Sequence, residues 1–268
     1  HALGAMYLMV EAIDVLKSKG VAITPEEKLG AAIAILLHDI GHGPFSHTLE
    51  HSLLNEIHHE EVSLLFMHRL NQEFNGRLDL AISIFEDTYH KSFLNQLVSG
   101  QLDMDRLDYL QRDSYFTGVS EGVVGSDRII AMLNVSDNNL VIEEKGIYSV
   151  ENFIGARRIM YWQVYMHKTV VSSEFMLTSI LKRAKHLYKQ GMDLFASPSL
   201  KVFLKEDVTF DDFKQNDQLL ENFALIDDSD ISTSIKVWQS CPDKILSKLC
   251  KDIASRHLFK TIISKEAF

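Results

Sequence analysis

Apolar residues recur at helical spacing along most of the chain. Leu3, Met6, Tyr7, Val10, Ile13 and Leu16 share one face and predict a helix over 2–19, with Gly20 as its stop. Thr24-Pro25-Glu26-Glu27 reads as a helix start, in which threonine caps, proline takes the first turn and Glu27 completes a capping box. The run from Leu29 to Leu37 is apolar almost all round, which predicts a central helix. It ends in His38-Asp39-Ile40-Gly41-His42-Gly43-Pro44, so polar groups are delivered on the end of a core element. Further helices are predicted over 59–71, 78–87, 104–112 and 126–133. A small hairpin is predicted over Asn139–Val150, turning around Glu144-Lys145-Gly146, followed by one long helix from Glu151 to Gln190. From 198 to 257 the pattern gives shorter helices broken near Pro198, Thr209 and Pro242, with a strand expected at Leu258–Ile263. The chain thus reads as mainly α with a small β-hairpin. The expected division is 1–190 and a smaller helical extension, 191–268, packed on it.

Composition adds limits. Only four prolines and thirteen glycines interrupt 268 residues, which favours long helices over a turn-rich β architecture. The formal charge of −10 makes general nucleic-acid binding a poor reading, because that depends on basic residues neutralising phosphates. A phosphate substrate would need positive charge gathered locally. Cys241 and Cys250 form neither a CxxC pair nor a disulfide framework, and no apolar run has the length of a membrane span. Those features point to a reduced, cytoplasmic setting. The chain opens at His1 rather than Met, so residues upstream are expected.

Seven of the twelve histidines, at 1, 38, 42, 47, 51, 58 and 59, fall in the first 59 residues, where an even spread would place two or three. Imidazole and carboxylate suit Zn, Fe, Mn and Ni. An uncompensated His38-Asp39 pair following a buried helix would cost several kcal/mol, and a metal supplies the compensation. The bland reading, solvated surface histidines, is retained for His51 and His58.

The segment His38-Asp39-Ile40-Gly41-His42-Gly43-Pro44-Phe45-Ser46-His47 resembles the signature of the HD superfamily of phosphohydrolases. It is especially similar to the branch with the bacterial dGTP triphosphohydrolase-like proteins and the sterile-alpha-motif deoxynucleotide triphosphohydrolases. Asp103-Met104-Asp105-Arg106-Leu107-Asp108-Tyr109-Leu110-Gln111-Arg112-Asp113 is similar to that branch's second block, and His1-Ala2-Leu3-Gly4 to its opening. His59-Glu60 and Tyr165-Met166-His167-Lys168 also fall where the branch has related residues. The resemblance runs from His1 to about Lys168 and implies an HD-domain helical architecture.

It further implies metal ligation by His1, His38, Asp39 and Asp105, with open positions for water and a phosphate oxygen. A first-row divalent ion in such a site lowers the pKa of bound water toward ~7, and Mg is a candidate second ion. His47 is implied as the proton donor to the departing 5′ oxygen, with Glu50 or the His59-Glu60 pair tuning it. The branch often has Asp where Glu50 stands. His42 and Arg106 are implied on phosphate, Tyr109 and Asp113 on the deoxyribose. An arginine that the branch uses on phosphate would precede His1.

The spacing supports a shared surface. Asp105, Tyr109 and Arg112 or Asp113 follow at i, i+4 and i+7 or i+8, and Arg157, Tyr161, Tyr165 and Lys168 form a second stripe on the expected long helix. For Arg112 an ion pair with Asp113 is the favoured reading. Arg157, Tyr165 and Lys168 read as substrate-binding, Tyr161 less so. The leading expectation is hydrolysis of deoxynucleoside triphosphates to deoxynucleoside and triphosphate by a homo-oligomer. The alternatives are a nucleoside 5′-monophosphate phosphatase and a regulatory module that binds nucleotide without turnover.

Overall fold

The computed structural model describes residues 1–50, 52–54 and 57–262, the side chains of His47 and Glu50 excepted. Along the chain run α1 (Ala2–Ser18), α2 (Pro25–Leu37), α3 (His47–Glu50), α4 (His59–Glu73), α5 (Asp79–Phe85), α6 (Ser92–Val98), α7 (Met104–Thr117) and α8 (Ser126–Ala131). The hairpin β1 (Leu133–Ser136) and β2 (Asn139–Ile142) follows, then α9 (Ile147–Met160) and a π-helical turn, Tyr161–Tyr165. The rest comprises α10 (Lys168–Lys189), α11 (Pro198–Lys205), α12 (Phe210–Gln215), α13 (Asp217–Ala224), α14 (Asp228–Trp238) and α15 (Lys244–Ala254). The mainly helical expectation with one antiparallel hairpin holds. No described helix is long and apolar enough to cross a membrane.

Contacts divide the chain into two compact units, His1–Ile40 with Phe66–Tyr165, and Gly41–Leu65 with Met166 onward. This partition cuts the chain differently from a boundary at 190/191. In the first unit α1 packs on α2, α7, α8 and β1, and α2 packs on α5 and α6. In the second, α10 packs on α3, α11 and α15. α10 buries Met176, Leu177, Ile180, Leu181, Ala184 and Leu187, a 3–4 spacing that the sequence shows plainly.

The first helix buries a different face from the one its large residues outline. Ala5, Leu8, Met9, Ala12, Ile13 and Leu16 face inward, while Leu3 and Tyr7 are 70% and 62% exposed. The alanines allow close helix approach, so small residues rather than large ones mark a third of this contact. α2 likewise has a side: Gly30, Ala31, Ala32, Ala34 and Ile35 are buried, whereas Leu29 is 61% exposed.

Three expected elements are corrected. The hairpin turns at Asp137-Asn138, not at Glu144-Lys145-Gly146, and pairs Leu133 with Ile142 and Ser136 with Asn139. Asp137 and Asn138 have φ of 48° and 64°, the left-handed pair of a two-residue hairpin turn, which Asp and Asn tolerate. Residues 144–146 form a 3-10 turn leading into α9. The long helix expected over 151–190 is broken after the π turn. His167 adopts an extended conformation there, and its Nδ1 accepts the Thr169 N–H at 3.2 Å, so a histidine caps α10. The breaks at Pro198, Thr209 and Pro242 fall as expected, with side-chain caps from Ser197, Thr209 and Asp243. Residues 258–262 form no strand. The Phe259 carbonyl accepts from Ser172 and Thr261 donates to the Lys168 carbonyl, so this segment is tied by side chains. Ile263 lies outside the described residues.

The capping box of α2 forms as expected, with Thr24 accepting from Glu27 N–H at 3.2 Å and Glu27 accepting from Thr24 N–H at 2.8 Å. Glu27 does more than cap. Its buried carboxylate also accepts from Tyr89 at 2.7 Å and Lys91 at 2.8 Å, fastening the start of α2 to the segment before α6. Glu27→Ala is expected to cost about 2–4 kcal/mol, since it removes the cap and strands both partners. Burial works to raise the Glu27 carboxyl, but Lys91 and Tyr89 outweigh it and hold it below the ordinary 4.5. A group depressed on folding stabilises above its unfolded value and loses that contribution as pH falls through the folded one. The melting-temperature gap between wild type and Glu27→Gln should therefore shrink below pH 4.5, and a gap independent of pH would contradict this assignment.

Candidate metal centre and active site

Three helix ends in the first unit meet at His1, His38, Asp39 and Asp105, whose donor atoms all lie within 4.8 Å of one another. His38 follows the last residue of α2 with helical geometry, and its Nδ1 donates to the Ile35 carbonyl at 2.6 Å. That bond sets the tautomer and leaves Nε2 as a donor to a cation. Asp105 sits in the first turn of α7, where Asp103 supplies the cap by accepting the Arg106 N–H at 2.7 Å. Asp105 is thereby spared for other work. His1 stands at the N-cap position of α1 but makes no capping bond. Its ring turns to carboxylates instead, with Nε2 2.9 Å from Asp105 Oδ1 and Nδ1 2.7 Å from Asp108 Oδ2.

A neutral imidazole carries one N–H. With both ring nitrogens against carboxylate oxygens, His1 needs either a second proton or a cation at Nε2. The remaining donor separations are 3.3 Å for His38 Nε2 to Asp39 and to Asp105, and 3.7 Å for His1 Nε2 to Asp39. Donors bound at about 2.1 Å to one ion lie roughly 3.0–3.4 Å apart when adjacent. The four residues fit one ion, and two imidazoles with two carboxylates suit Zn, Mn, Fe or Ni.

Charge follows the same geometry. The hydrogen bond to Asp105 is the main cause that pushes His1 up to about 9, against burial. Burial lowers His38, but the Asp105 hydrogen bond and the charges of Asp39 and Asp105 carry it above its ordinary value. Burial would raise Asp105, yet His1 and His38 hold it well below the carboxylate range.

A surface of aromatic and charged groups continues from this point. Along α7, Asp105, Tyr109 and Asp113 share a face at i, i+4 and i+8. The Tyr109 ring lies 6.4 Å from His1 and 6.1 Å from Tyr165, both edge-on. Tyr165 OH donates to Asp113 at 2.6 Å, and Tyr161 stacks edge-on with Tyr165 at 5.1 Å. Arg157 lies 5.6 Å over the Tyr161 ring. Burial, with Tyr161 nearby, pushes Tyr109 up to about 12, and burial and the Asp113 bond raise Tyr165 further. Tyr161 thus packs beside Tyr165 in this group. The π turn carries both rings.

Other expected residues are placed differently. Arg112 does form an ion pair, but with Asp108 rather than Asp113, at 2.9 and 3.0 Å from the two carboxylate oxygens. The Arg106 guanidinium is engaged by Asp103 and the Gly100 carbonyl, and it lines a cavity of about 610 Å³ beside β2. Its charge also acts on Tyr109, opposing the rise of that phenol. Lys168 begins α10, across the break at His167, so the fourth member of the expected helical stripe is on a different helix.

In the second unit His42 and His59 stack, with ring centroids 3.8 Å apart and planes 15° apart. Gly41 makes this possible, since a Cβ there would lie 2.3 Å from the His59 carbonyl and the Ser63 N. Its N–H donates to Ser63 Oγ at 2.9 Å. His59 Nδ1 is 3.4 Å from the exposed Glu60 carboxylate, and Ser46 Oγ is 3.2 Å from His42 Nδ1. Phe45 and Ser46 have φ of 53° and 52°, conformations that cost about 1–3 kcal/mol each and cluster at functional sites. Asp228 accepts the Phe45 N–H at 3.0 Å and helps hold that turn. His58 is exposed, as expected. The side chains of His47 and Glu50, and His51 altogether, lie outside the described residues. Sequence reasoning gave no role to Asp108, Ser63 or Asp228; Asp108 stood inside a quoted motif, while the other two carry no local signal.

The HD domain family matches residues 1–113, and the HD associated region matches residues 124–195. The chain is an HD-domain protein. A solved phosphohydrolase from Bacteroides thetaiotaomicron superposes on it with a TM-score of 0.94 and 59% identity, covering 97% of this chain and 64% of that one. The uncharacterized protein YwfO of Bacillus subtilis is 35% identical over 98% of this chain and 60% of its own length. The deoxynucleoside triphosphate triphosphohydrolase SAMHD1 homolog of Dictyostelium discoideum is 27% identical over 94% and 50%. The HD-domain protein thus spans less than two thirds of the length of each of these relatives.

Removing a donor tests the centre directly. Asp105→Ala or Asp39→Ala in the HD-domain protein is expected to abolish tightly bound divalent metal, measured by elemental analysis after dialysis, in a chain that keeps its helical circular dichroism. Full metal occupancy in folded Asp105→Ala would sink the assignment.

Proposed function

We propose that this chain hydrolyses deoxynucleoside triphosphates to deoxynucleoside and inorganic triphosphate at the centre formed by His1, His38, Asp39 and Asp105. The observation that carries the reading is a continuous surface, with four metal donors at one end and Tyr109, Tyr165 and Asp113 at the other. The likeness to a phosphohydrolase and to a SAMHD1 homolog supports the same class. A bound divalent ion would supply a Lewis acid for phosphate oxygens and acidify water.

The protein's own groups do the rest. The bond from the α-phosphorus to the 5′ oxygen breaks as water oxygen joins phosphorus, and His47 gives a proton to the 5′ oxygen. Glu50, His59 and Glu60 orient and tune that proton donor. Arg157, Lys168 and His42 offset phosphate charge, and Arg106 would join them by exchanging Asp103 for phosphate. Asp113 accepts from the 3′ hydroxyl, in place of or beside the Tyr165 phenol. Release of inorganic triphosphate in equal amount with deoxynucleoside is expected from a dNTP. Release of orthophosphate from a monophosphate, with none of the longer product, would favour the phosphatase reading.

Tyr109 provides a separate test. Asp105 anchors one end of the α7 face, and Tyr109 lies one turn further, ~6 Å along. That is about the distance from phosphate to sugar. A ring packed against C2′ would leave a ribose hydroxyl buried without a partner, at ~1–3 kcal/mol, a preference for dNTP over rNTP of roughly ten- to a hundredfold. Tyr109→Ala is expected to relax that ratio in a protein that retains its metal. A lowered melting temperature with an unchanged ratio would mark Tyr109 as a packing residue only.

A further inference from the structure

The His1 ring is held by a side chain rather than by a backbone carbonyl. His38 is fixed by the Ile35 carbonyl, and Asp39 and Asp105 sit on or beside helix turns. The His1 ring has a different support. Its Nδ1 donates to Asp108 Oδ2 at 2.7 Å, and Asp108 receives Arg112 Nε and NH2 at 2.9 and 3.0 Å. Asp108 lies one turn back from Arg112 on α7, and its side chain is 10% exposed. Gly4 faces the same pair from α1. A Cβ on Gly4 would fall 2.0 Å from Asp108 Oδ1 and 2.5 Å from Arg112 NH2.

We propose that Asp108, held by Arg112 and seated against Gly4, is the positioning residue that sets the tautomer and angle of His1 for metal binding. The inference rests on the four-donor metal centre proposed above. It gives one physical reason for three sequence features: the glycine three residues after His1, the aspartate three after Asp105, and the arginine four beyond that. A carboxylate accepting Nδ1–H leaves Nε2 without a proton and raises its basicity as a donor. Arg112 neutralises Asp108, so the site keeps two net negative charges, from Asp39 and Asp105, to match a divalent ion. Arg112 also bonds both oxygens of Asp108, which stops that carboxylate from swinging toward the ion itself. Gly4 is needed because α1 must bring its first residue over α7 without a side chain in the way.

The test uses Zn2+ as the probe. Competition with a chromogenic chelator measures its affinity in wild type, Asp108→Ala, Asp108→Asn and Gly4→Ala, alongside thermal melts. All three variants are expected to bind about 10- to 100-fold more weakly, the usual effect of removing a partner behind a metal-binding histidine. Turnover should recover in part as Zn2+ is raised. In the Zn2+-loaded wild type the His1 Nδ1–H should give a slowly exchanging downfield proton resonance, which the Asp108→Ala protein loses. If Asp108→Ala fails to fold, Gly4→Ala still decides the matter, since it displaces the pair while keeping both charged groups. Wild-type affinity and an unchanged His1 resonance in folded Asp108→Asn and Gly4→Ala would overturn the proposal while leaving the metal centre standing. A wild-type protein that takes up no divalent ion would overturn both.

Discussion

Two carboxylates, Asp39 and Asp105, converge on two imidazoles at the ends of three helices, and their charge must be balanced. That balance constrains much of the first unit. The cap of α7 comes from Asp103, so Asp105 is left for the cluster. The tautomer of His38 comes from a carbonyl one turn back in α2. His1 gives up the capping role that its position would allow, leaving α1 without a side-chain cap. An N-cap contributes roughly 1 kcal/mol, so the helix trades some stability for a group aimed at Asp105. Two consecutive left-handed residues, Phe45 and Ser46, show the same preference for geometry over local comfort in the loop after Gly43.

What could be read in the sequence was what short-range chemistry decides. The Thr24–Glu27 box, the breaks at Pro198 and Pro242, and the polar segment after Leu37 each follow from residues within a turn of one another. The four residues that cluster at the helix ends were legible because their spacing matched a known pattern, although His1 and Asp105 are 104 residues apart. What remained hidden depends on distant or unusual partners. Glu27 shows only its cap in the sequence, and its bonds to Tyr89 and Lys91 require the folded chain. His167 ended a helix with no glycine or proline nearby, through an imidazole acting as a cap, which is a rare use of that side chain. The hairpin turned at Asp137-Asn138, a pair weaker as a turn signal than the lysine and glycine downstream. The inward face of α1 escaped notice because its alanines carry little apolar weight although they let the helices approach.

The site also shows how a pairing can be right in kind and wrong in partner. Arg112 reads as an ion-pair residue, and both Asp108 and Asp113 lie within its reach along a helix. Spacing of four places side chains over one another, while adjacent residues diverge, so Asp108 wins. Asp113 is thereby released to accept from Tyr165. A single choice of partner sets both the support of His1 and the polar end of the tyrosine surface.

The turn at Tyr161–Tyr165 has a consequence for how this surface tolerates change in length. A π turn is an α-helix that has accommodated one surplus residue, and such bulges are found mostly where a side chain must be aimed. Losing one residue within that stretch would let the helix close its ordinary ladder, a gain for the backbone. It would also swing everything beyond by about 100°, carrying the Tyr165 phenol off Asp113. The segment is therefore a place where a shorter gene product would be better hydrogen-bonded in its backbone and worse equipped in its surface, so that a loss of one codon there is a change in recognition before it is a change in stability.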